Sequence, residues 1–192
     1  MIKCGNKWKK PRAFGMNNFF FNGSTHTKLD EKNRFVLPQH MRYGLVENGE
    51  LQFTLALGLG GSLAVYRRSD IDKIVRKFQA KQHIAKYRKF FTLFFSTLHH
   101  TTCDKLGRVL LPPVLKKATG IHQEIVIAGV LNKVEIWAKE KYEADLEMFL
   151  GGEDDSLAKM TEEAFALLDE SASESDAEAA LTKQEQEEYQ EI

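Results

Sequence analysis

Apolar and polar positions between residues 16 and 150 predict one series of elements that occurs twice. Each series consists of a strand, a turn, a second strand, a short helix, a β-hairpin and a closing helix. The two predicted hairpins pair Leu51–Leu57 with Ser62–Tyr66, and Ile125–Val130 with Lys133–Trp137. Their apolar runs are short and are bounded by glycine or asparagine, which is typical of strands.

Helical spacing of apolar residues ends each series. The first closing helix is predicted over Ile71–Phe91, with Ser69 and Asp70 as capping residues, and the second over Lys139–Leu150. The opening strand is expected to begin in the aromatic run Phe19–Phe21. The pattern therefore predicts an α+β fold built from two tandem half-motifs with flanking helices.

The two series are also related in sequence. With a fixed offset of 74 residues and no gap, residues 21–38 align with residues 95–112 at seven identical positions. The identical pairs are Phe21 and Phe95, His26 and His100, Thr27 and Thr101, Asp30 and Asp104, Arg34 and Arg108, Leu37 and Leu111, and Pro38 and Pro112. Because this period is longer than that of solenoid repeats, it indicates a duplicated half-domain.

The core of the repeat is Asp-x-x-x-Arg followed by apolar residues and Leu-Pro. Asn33 and Gly107 occupy the turn position that suits a positive φ, as a tight hairpin requires. The aspartate at the turn entry is expected to accept backbone N–H bonds and hold the loop. The arginine at the exit carries a rigid charged fork that pairs with a phosphate or a guanine edge. The alternative is an Asp–Arg ion pair that only staples the hairpin.

Charge is unevenly distributed although the formal net charge is zero. Residues 1–15 carry five basic residues and no acid, residues 151–192 carry fourteen acids and two lysines, and the segment between them carries +7. A basic segment suits a nucleic-acid partner. Four segments are expected: a basic extension at 1–15, a first half-motif with its helix at 16–92, a second at 93–150, and an acidic, mostly disordered tail at 151–192. A short amphipathic helix is expected in the tail near Leu157, Met160 and Phe165.

Several classes of protein are disfavoured. No apolar stretch reaches the length of a membrane span and no secretory signal is recognisable, which favours a cytoplasmic protein. Cys4 and Cys103 form no CxxC pair, so no metal site is expected, and Cys103 is interpreted as a small buried apolar residue in a strand-like segment. Without a catalytic motif, we expect no enzyme, no cofactor and no small-molecule substrate. His26 and His100 are expected to make structural hydrogen bonds.

Two Asp-x-x-x-Arg motifs at this separation, each ending in Leu-Pro, resemble the MraZ family of bacterial regulators. The resemblance covers Met16 to Leu150 and includes the Phe-rich opening, His-Thr-x-x-Asp before the first turn, and the segment from Asn132 to Trp137 late in the second copy. Asn33 stands where the family commonly has glycine. Residues 1–15 are either a basic arm or a segment upstream of the true start, and the resemblance favours Met16 as the start of translation.

The resemblance implies an AbrB-like double-split β-barrel, in which two half-motifs interleave within one chain. It implies a homo-oligomer in the form of a closed ring. It further implies binding to short direct repeats in double-stranded promoter DNA, repression of the division and cell-wall gene cluster that includes the chain's own operon, and association with the nucleoid. In the family the Asp-x-x-x-Arg loops face the DNA, which here implies Asp30, Arg34, Asp104 and Arg108.

A basic patch is expected if the two turns lie side by side, with lysines on phosphates and arginines reading bases. The expected DNA-binding residues are Lys28, Asp30, Lys32, Asn33, Arg34, Asp104, Lys105, Gly107 and Arg108. The basic residues of the helix predicted at 71–91 are interpreted as a solvated face. Two alternatives to a regulator remain, an antitoxin-like DNA-binding protein of the AbrB fold and a non-catalytic interaction module.

Overall fold

The computed structural model describes residues 19–151 and 157–167. The chain divides into two compact units, Met1–Tyr142 and Glu143–Ile192. The first unit contains antiparallel sheets and short helices, which confirms the predicted α+β class. The predictions for residues 1–15 and for the tail at 152–156 and 168–192 lie outside the described residues.

The strands and helices follow the expected chain order except in the first repeat, which adds a short strand pair before its hairpin and has two helices in place of one at its end. The strands are β1 (Ser24–Lys28), β2 (Arg34–Val36), β3 (Val46–Glu47), β4 (Glu50–Leu51), β5 (Phe53–Leu57), β6 (Leu63–Arg67), β7 (His99–Thr101), β8 (Arg108–Leu110), β9 (Glu124–Val130) and β10 (Lys133–Ala138). The helices are α1 (Gln39–Gly44), α2 (Arg68–Gln79), α3 (Arg88–Thr97), α4 (Pro113–Ala118) and α5 (Lys139–Gly151). Residues 157–167 are also helical, which confirms the amphipathic helix predicted in the tail.

The two repeats exchange strands. The six-stranded sheet has the order β1-β9-β10-β6-β5-β7, so β1 of the first repeat pairs with β9 of the second, and β7 of the second pairs with β5 of the first. The two hairpins meet where β6 pairs with β10. Strands β1 and β7 form the two edges of this sheet, which stays open between them.

A second pairing between the repeats forms a separate two-stranded ribbon from β2 and β8. Phe35 lies opposite Val109, and these two residues occupy equivalent positions of the repeat. The ribbon is therefore related to itself by an approximate twofold axis through this pair. Both side chains are buried and belong to a core cluster that also contains Leu37 and Leu111. The hydrophobic positions of the repeat thus anchor the ribbon to the rest of the unit.

The prediction of one long helix at 71–91 is wrong. Helix α2 ends at Gln79, a 3-10 turn covers Ala85–Tyr87, and the chain reverses into α3. The reason is aromatic packing, because the Phe78 ring lies 5.5 Å from Phe94 and 5.7 Å from Phe90, measured between centroids. A continuous helix would separate Phe78 and Phe90 by about 18 Å.

The start of α2 also differs from prediction. Neither Ser69 nor Asp70 caps the helix, which begins at Arg68. Instead the carboxylate of Glu47, on β3, accepts hydrogen bonds from the backbone N–H and the hydroxyl of Ser69. A carboxylate at the helix N-terminus satisfies free N–H groups there and complements the helix dipole.

The opening strand predicted at Phe19–Phe21 is reduced to a single bridge between Phe21 and Leu131. The structural equivalence of the two repeats also ends here. Phe21 precedes β1, whereas Phe95, its counterpart in the sequence alignment, lies in α3. The Phe21 ring instead packs in the core and against Phe19, and the Arg67 guanidinium lies over it at 4.9 Å. These aromatic residues therefore cover the core beside the sheet.

Candidate nucleic-acid interface

The first Asp-x-x-x-Arg turn is held by its own aspartate. Oδ1 of Asp30 accepts hydrogen bonds from the backbone N–H groups of Lys32 and Arg34, both at 2.9 Å, and Oδ2 accepts one from Nε of Arg34 at 2.8 Å. The Arg34 side chain, followed by its backbone N–H, lowers the pKa of Asp30 to about 2. The carboxylate is therefore ionised, and the arginine is fixed in direction, over the whole neutral range.

The second turn repeats this geometry. Oδ1 of Asp104 accepts hydrogen bonds from the backbone N–H groups of Leu106 and Arg108 at 2.9 Å, and Oδ2 accepts one from Nε of Arg108 at 2.7 Å. The backbone N–H of Arg108, and then its side chain, lower the pKa of Asp104. Both the predicted loop-holding role of aspartate and the Asp–Arg ion pair are thus present in each repeat.

The backbone at the turn positions is as predicted. Asn33 has a φ of 56° and Gly107 a φ of 77°. Asparagine tolerates this left-handed region better than most residues, so the first repeat keeps the same turn without glycine.

The β2–β8 ribbon turns one face to the exterior. Alternation along two strands places Phe35 and Val109 inward and Arg34, Val36, Arg108 and Leu110 outward. Val36 is 47% exposed and Leu110 is 50% exposed, and each lies directly across from an arginine of the other strand. The ribbon face therefore presents two arginines and two apolar side chains in an approximate twofold arrangement. Sequence reasoning identified the arginines but missed Val36 and Leu110.

The two turns lie at opposite ends of the ribbon. The backbone N–H of Leu37 donates to the carbonyl of Gly107, and that of Leu111 donates to the carbonyl of Asn33. Four residues along the strand therefore separate the two turns, or about 14 Å. The basic residues expected in one side-by-side patch are divided between these two ends.

The lysines of the expected site differ in their surroundings. Nζ of Lys28 lies 2.7 Å from Oε1 of Glu124, and Nζ of Lys139 lies 2.9 Å from Oε2 of the same residue. Hydrogen bonds from Lys28 and then Lys139 lower the pKa of Glu124 to about 2. The charge of Lys28 is thus compensated, whereas Lys32 and Lys105 are exposed at the turns.

Two cations that sequence reasoning missed lie against the turns. Nζ of Lys116, on α4, donates to Oδ1 of Asn33 at 2.5 Å. At the other turn the Arg42 guanidinium, on α1, covers Gly107, where an added Cβ would lie 2.6 Å from Cζ of Arg42. The available signal was the repeat itself, because Arg42 and Lys116 are also 74 residues apart.

His100 makes the structural hydrogen bond expected of it, since its Nδ1 lies 2.7 Å from the Thr54 hydroxyl. His26 is exposed on β1. Cys103 follows β7 rather than lying in a strand, and it packs half-buried against the core, where burial raises the pKa of the thiol to about 11. Cys103 is therefore protonated near neutral pH, as the interpretation of an apolar residue requires.

Within residues 19–151 and 157–167, no three His, Cys, Asp or Glu side chains form a group that would hold a metal ion. Across the same residues, the helices are too short or too polar to cross a membrane.

Comparison with known proteins places this geometry in a family. Residues 94–168 match the family model of the MraZ protein, whose description adds the term antitoxin-like. A protein of Clostridium acetobutylicum named transcriptional regulator MraZ is 37% identical over 125 residues, which is 64% of this chain and 84% of the relative. Relatives of the same name from Mycoplasma mobile and Thiobacillus denitrificans are 33% and 30% identical and are covered over 94% and 93% of their lengths. A chain that covers most of such relatives at this identity, with the duplicated turn motif in place, belongs to the MraZ family.

Proposed function

We propose that this chain is a sequence-specific DNA-binding transcriptional regulator that reads double-stranded DNA with the outer face of the β2–β8 ribbon. The observation that carries the proposal is the twofold arrangement of Arg34 and Arg108 on a two-stranded ribbon. The major groove of B-DNA is about 12 Å wide and admits such a ribbon. The name transcriptional regulator, which the relatives share, supports the same function and favours a regulator over an enzyme.

The proposed contacts divide by chemistry. Arg34 and Arg108 retain guanidinium N–H groups beyond those bound to their aspartates, and a guanine edge accepts such groups. Val36 and Leu110 are placed to contact thymine methyl groups. Lys32 and Lys105 would bind phosphates, with Lys28 at a greater distance, while Asp30, Asn33, Asp104 and Gly107 shape the turns. Because the turns carry Glu31-Lys32 in one repeat and Lys105-Leu106 in the other, their base preferences need not be equal.

The finer features of the family form part of the proposal. They are the AbrB-like double-split β-barrel, a closed ring, and repression through short direct repeats upstream of the division and cell-wall gene cluster, including the chain's own operon. Strand exchange between the repeats supports the barrel, since β1 and β7 each pair with the other repeat. A ring would also explain how weak contacts by each protomer give tight binding to DNA, because linked sites gain affinity through avidity. Such a protein would be associated with the nucleoid in the cytoplasm.

An antitoxin is the second candidate, favoured by the term antitoxin-like in the description of the family model. The acidic segment at 151–192, with its helix at 157–167, offers a separate region for a protein partner. The presence of two half-motifs in one chain favours the regulator.

DNA binding is tested by fluorescence anisotropy with a duplex that contains the DNA immediately upstream of the gene. We expect specific binding that weakens steeply with salt, by roughly a thousandfold between about 50 and 200 mM where six or more phosphates are neutralised. A scrambled duplex of equal length serves as the control. Equal affinity for the two duplexes would contradict sequence-specific binding, and no binding to either duplex would leave an interaction module as the better description.

Oligomerisation is tested by native mass spectrometry. Helix α3 exposes Phe90 at 47% and Leu93 at 53%, an apolar surface of the kind that marks protein interfaces. We expect a closed homo-oligomer for the native chain and a shift to fewer protomers for Leu93→Glu. Leu59→Glu introduces the same charge at a residue that is 81% exposed in a turn, and it should leave the mass unchanged. A monomeric native chain would contradict the ring.

A further inference from the structure

We infer that each end of the ribbon is a composite phosphate-binding site, in which the turn of one repeat is completed by a helix cation of the other repeat. Lys116 completes the turn of Asn33, and Arg42 completes the turn of Gly107. This inference rests on the proposed function, because it assigns two further DNA contacts to the same ribbon. Each phosphate-binding site would therefore need residues from both repeats.

At the first end, Lys116 borders a groove of about 690 Å³ beside the turn. The groove is lined by three cations, Lys32, Arg34 and Lys116, and by two carboxylates, of which Asp30 is bound to Arg34 and to the turn backbone. Lys116 uses one N–H on Asn33 and keeps two further donors. An ammonium group fixed at this point, next to a loop arginine, suits an oxygen of a DNA phosphate.

At the second end, Arg42 occupies the space that a side chain at position 107 would need. Its Nε is shielded from solvent and makes no hydrogen bond to the residues that the structure describes. Because Nε itself is shielded, a phosphate oxygen beside the Gly107 turn would be bound by the terminal N–H groups of the Arg42 guanidinium, on a side chain that is only partly buried.

The two ends of the ribbon have the same arrangement of turn and helix cation. Arg42 and Lys116 occupy equivalent positions of the repeat, one turn into α1 and α4, and each lies against the turn of the opposite repeat. The ends are about 14 Å apart along the ribbon, close to the groove width of about 12 Å. A ribbon in the major groove would therefore bring one cation to each of the two flanking phosphate rows.

The inference is tested with the full-length chain and the upstream duplex, by measuring the affinity as a function of salt. For Lys116→Met and for Arg42→Met, the slope of log K against log salt should fall by about one for each protomer on the DNA. Loss of one phosphate contact corresponds to about an eightfold weaker affinity at about 0.1 M salt. Lys116→Arg and Arg42→Lys keep the charge and should restore the slope, which loss of a purely structural contact would not predict.

Lys117→Met is the matched control, because Lys117 is the next residue on α4 and is exposed. It removes the same charge, but it points about 100° away around the helix. An equal fall in slope for Lys117→Met would show a diffuse charge effect and overturn the composite site, as would an unchanged slope for Lys116→Met and Arg42→Met. Arg34→Ala separates the two proposals: if it weakens binding while the helix variants do not, the inference alone fails. If no variant including Arg34→Ala has an effect, the ribbon itself is not the DNA-binding surface.

Discussion

Replacing both loop arginines with alanine, Arg34→Ala together with Arg108→Ala, is expected to reduce specific DNA affinity by at least about thirtyfold. A bidentate arginine–guanine contact discriminates by about 1 to 3 kcal/mol, and the variant removes one such contact from each repeat. Anisotropy against the upstream duplex measures the loss. The fold should persist, because the Asp–Arg pairs lie in partly exposed turns at the surface, where ion pairs contribute little to stability.

The matched control removes two charges elsewhere. The control variant combines Arg76→Ala with Lys77→Ala, and both residues are exposed on α2. This control should lose only the small non-specific share of affinity that two distant charges provide. If it loses as much as the loop variant, the basic field of the segment rather than the ribbon determines binding.

Lysine at the same two positions distinguishes recognition of bases by the arginines from a purely structural role in the turns. Arg34→Lys with Arg108→Lys keeps the charge but replaces the planar fork by a single ammonium group. We expect affinity for a scrambled duplex to stay near the native value while the preference for the upstream duplex falls. An unchanged preference would mean that the arginines serve the turn and the phosphates only.

The sequence predicted those parts of the site that depend on neighbouring residues. The turns at Asn33 and Gly107, the Asp-to-backbone hydrogen bonds and the short helices after each Leu-Pro all result from contacts within a few positions of the chain. Local steric and hydrogen-bonding preferences specify such structures, so one sequence suffices to find them.

Features that depend on distant contacts were missed or wrong. Residue spacing alone does not reveal that β1 pairs with the second repeat, or that Lys116 crosses to the turn of Asn33. The predicted helix at 71–91 failed for the same reason, because the packing of Phe78 on Phe90 and Phe94 outweighs helical propensity across residues 80–87. In each case the deciding energy comes from a partner that is far away in the sequence.

The second large effect is expected at the twofold centre of the ribbon, where Phe35→Ala should lower the free energy of unfolding by about 3 to 5 kcal/mol. Phe35 is 1% exposed and lies across from Val109 in a ladder of only three residue pairs. The cavity removes packing from the strand pair that joins the two repeats. Because an oligomer couples stability to concentration, denaturant unfolding should be compared at one protomer concentration.

Val36→Ala provides the control for this prediction. It truncates the next residue of the same strand, which points to the exterior and is 47% exposed. The free energy of unfolding should therefore change by no more than about 0.5 kcal/mol. The proposed function adds a second difference between the two variants. Val36→Ala should weaken DNA binding in a stable protein, because it removes an apolar contact from the reading face, whereas Phe35→Ala should lose binding only as far as it unfolds. Equal destabilisation by the two substitutions would contradict the assignment of inner and outer ribbon faces, and with it the surface proposed to enter the groove.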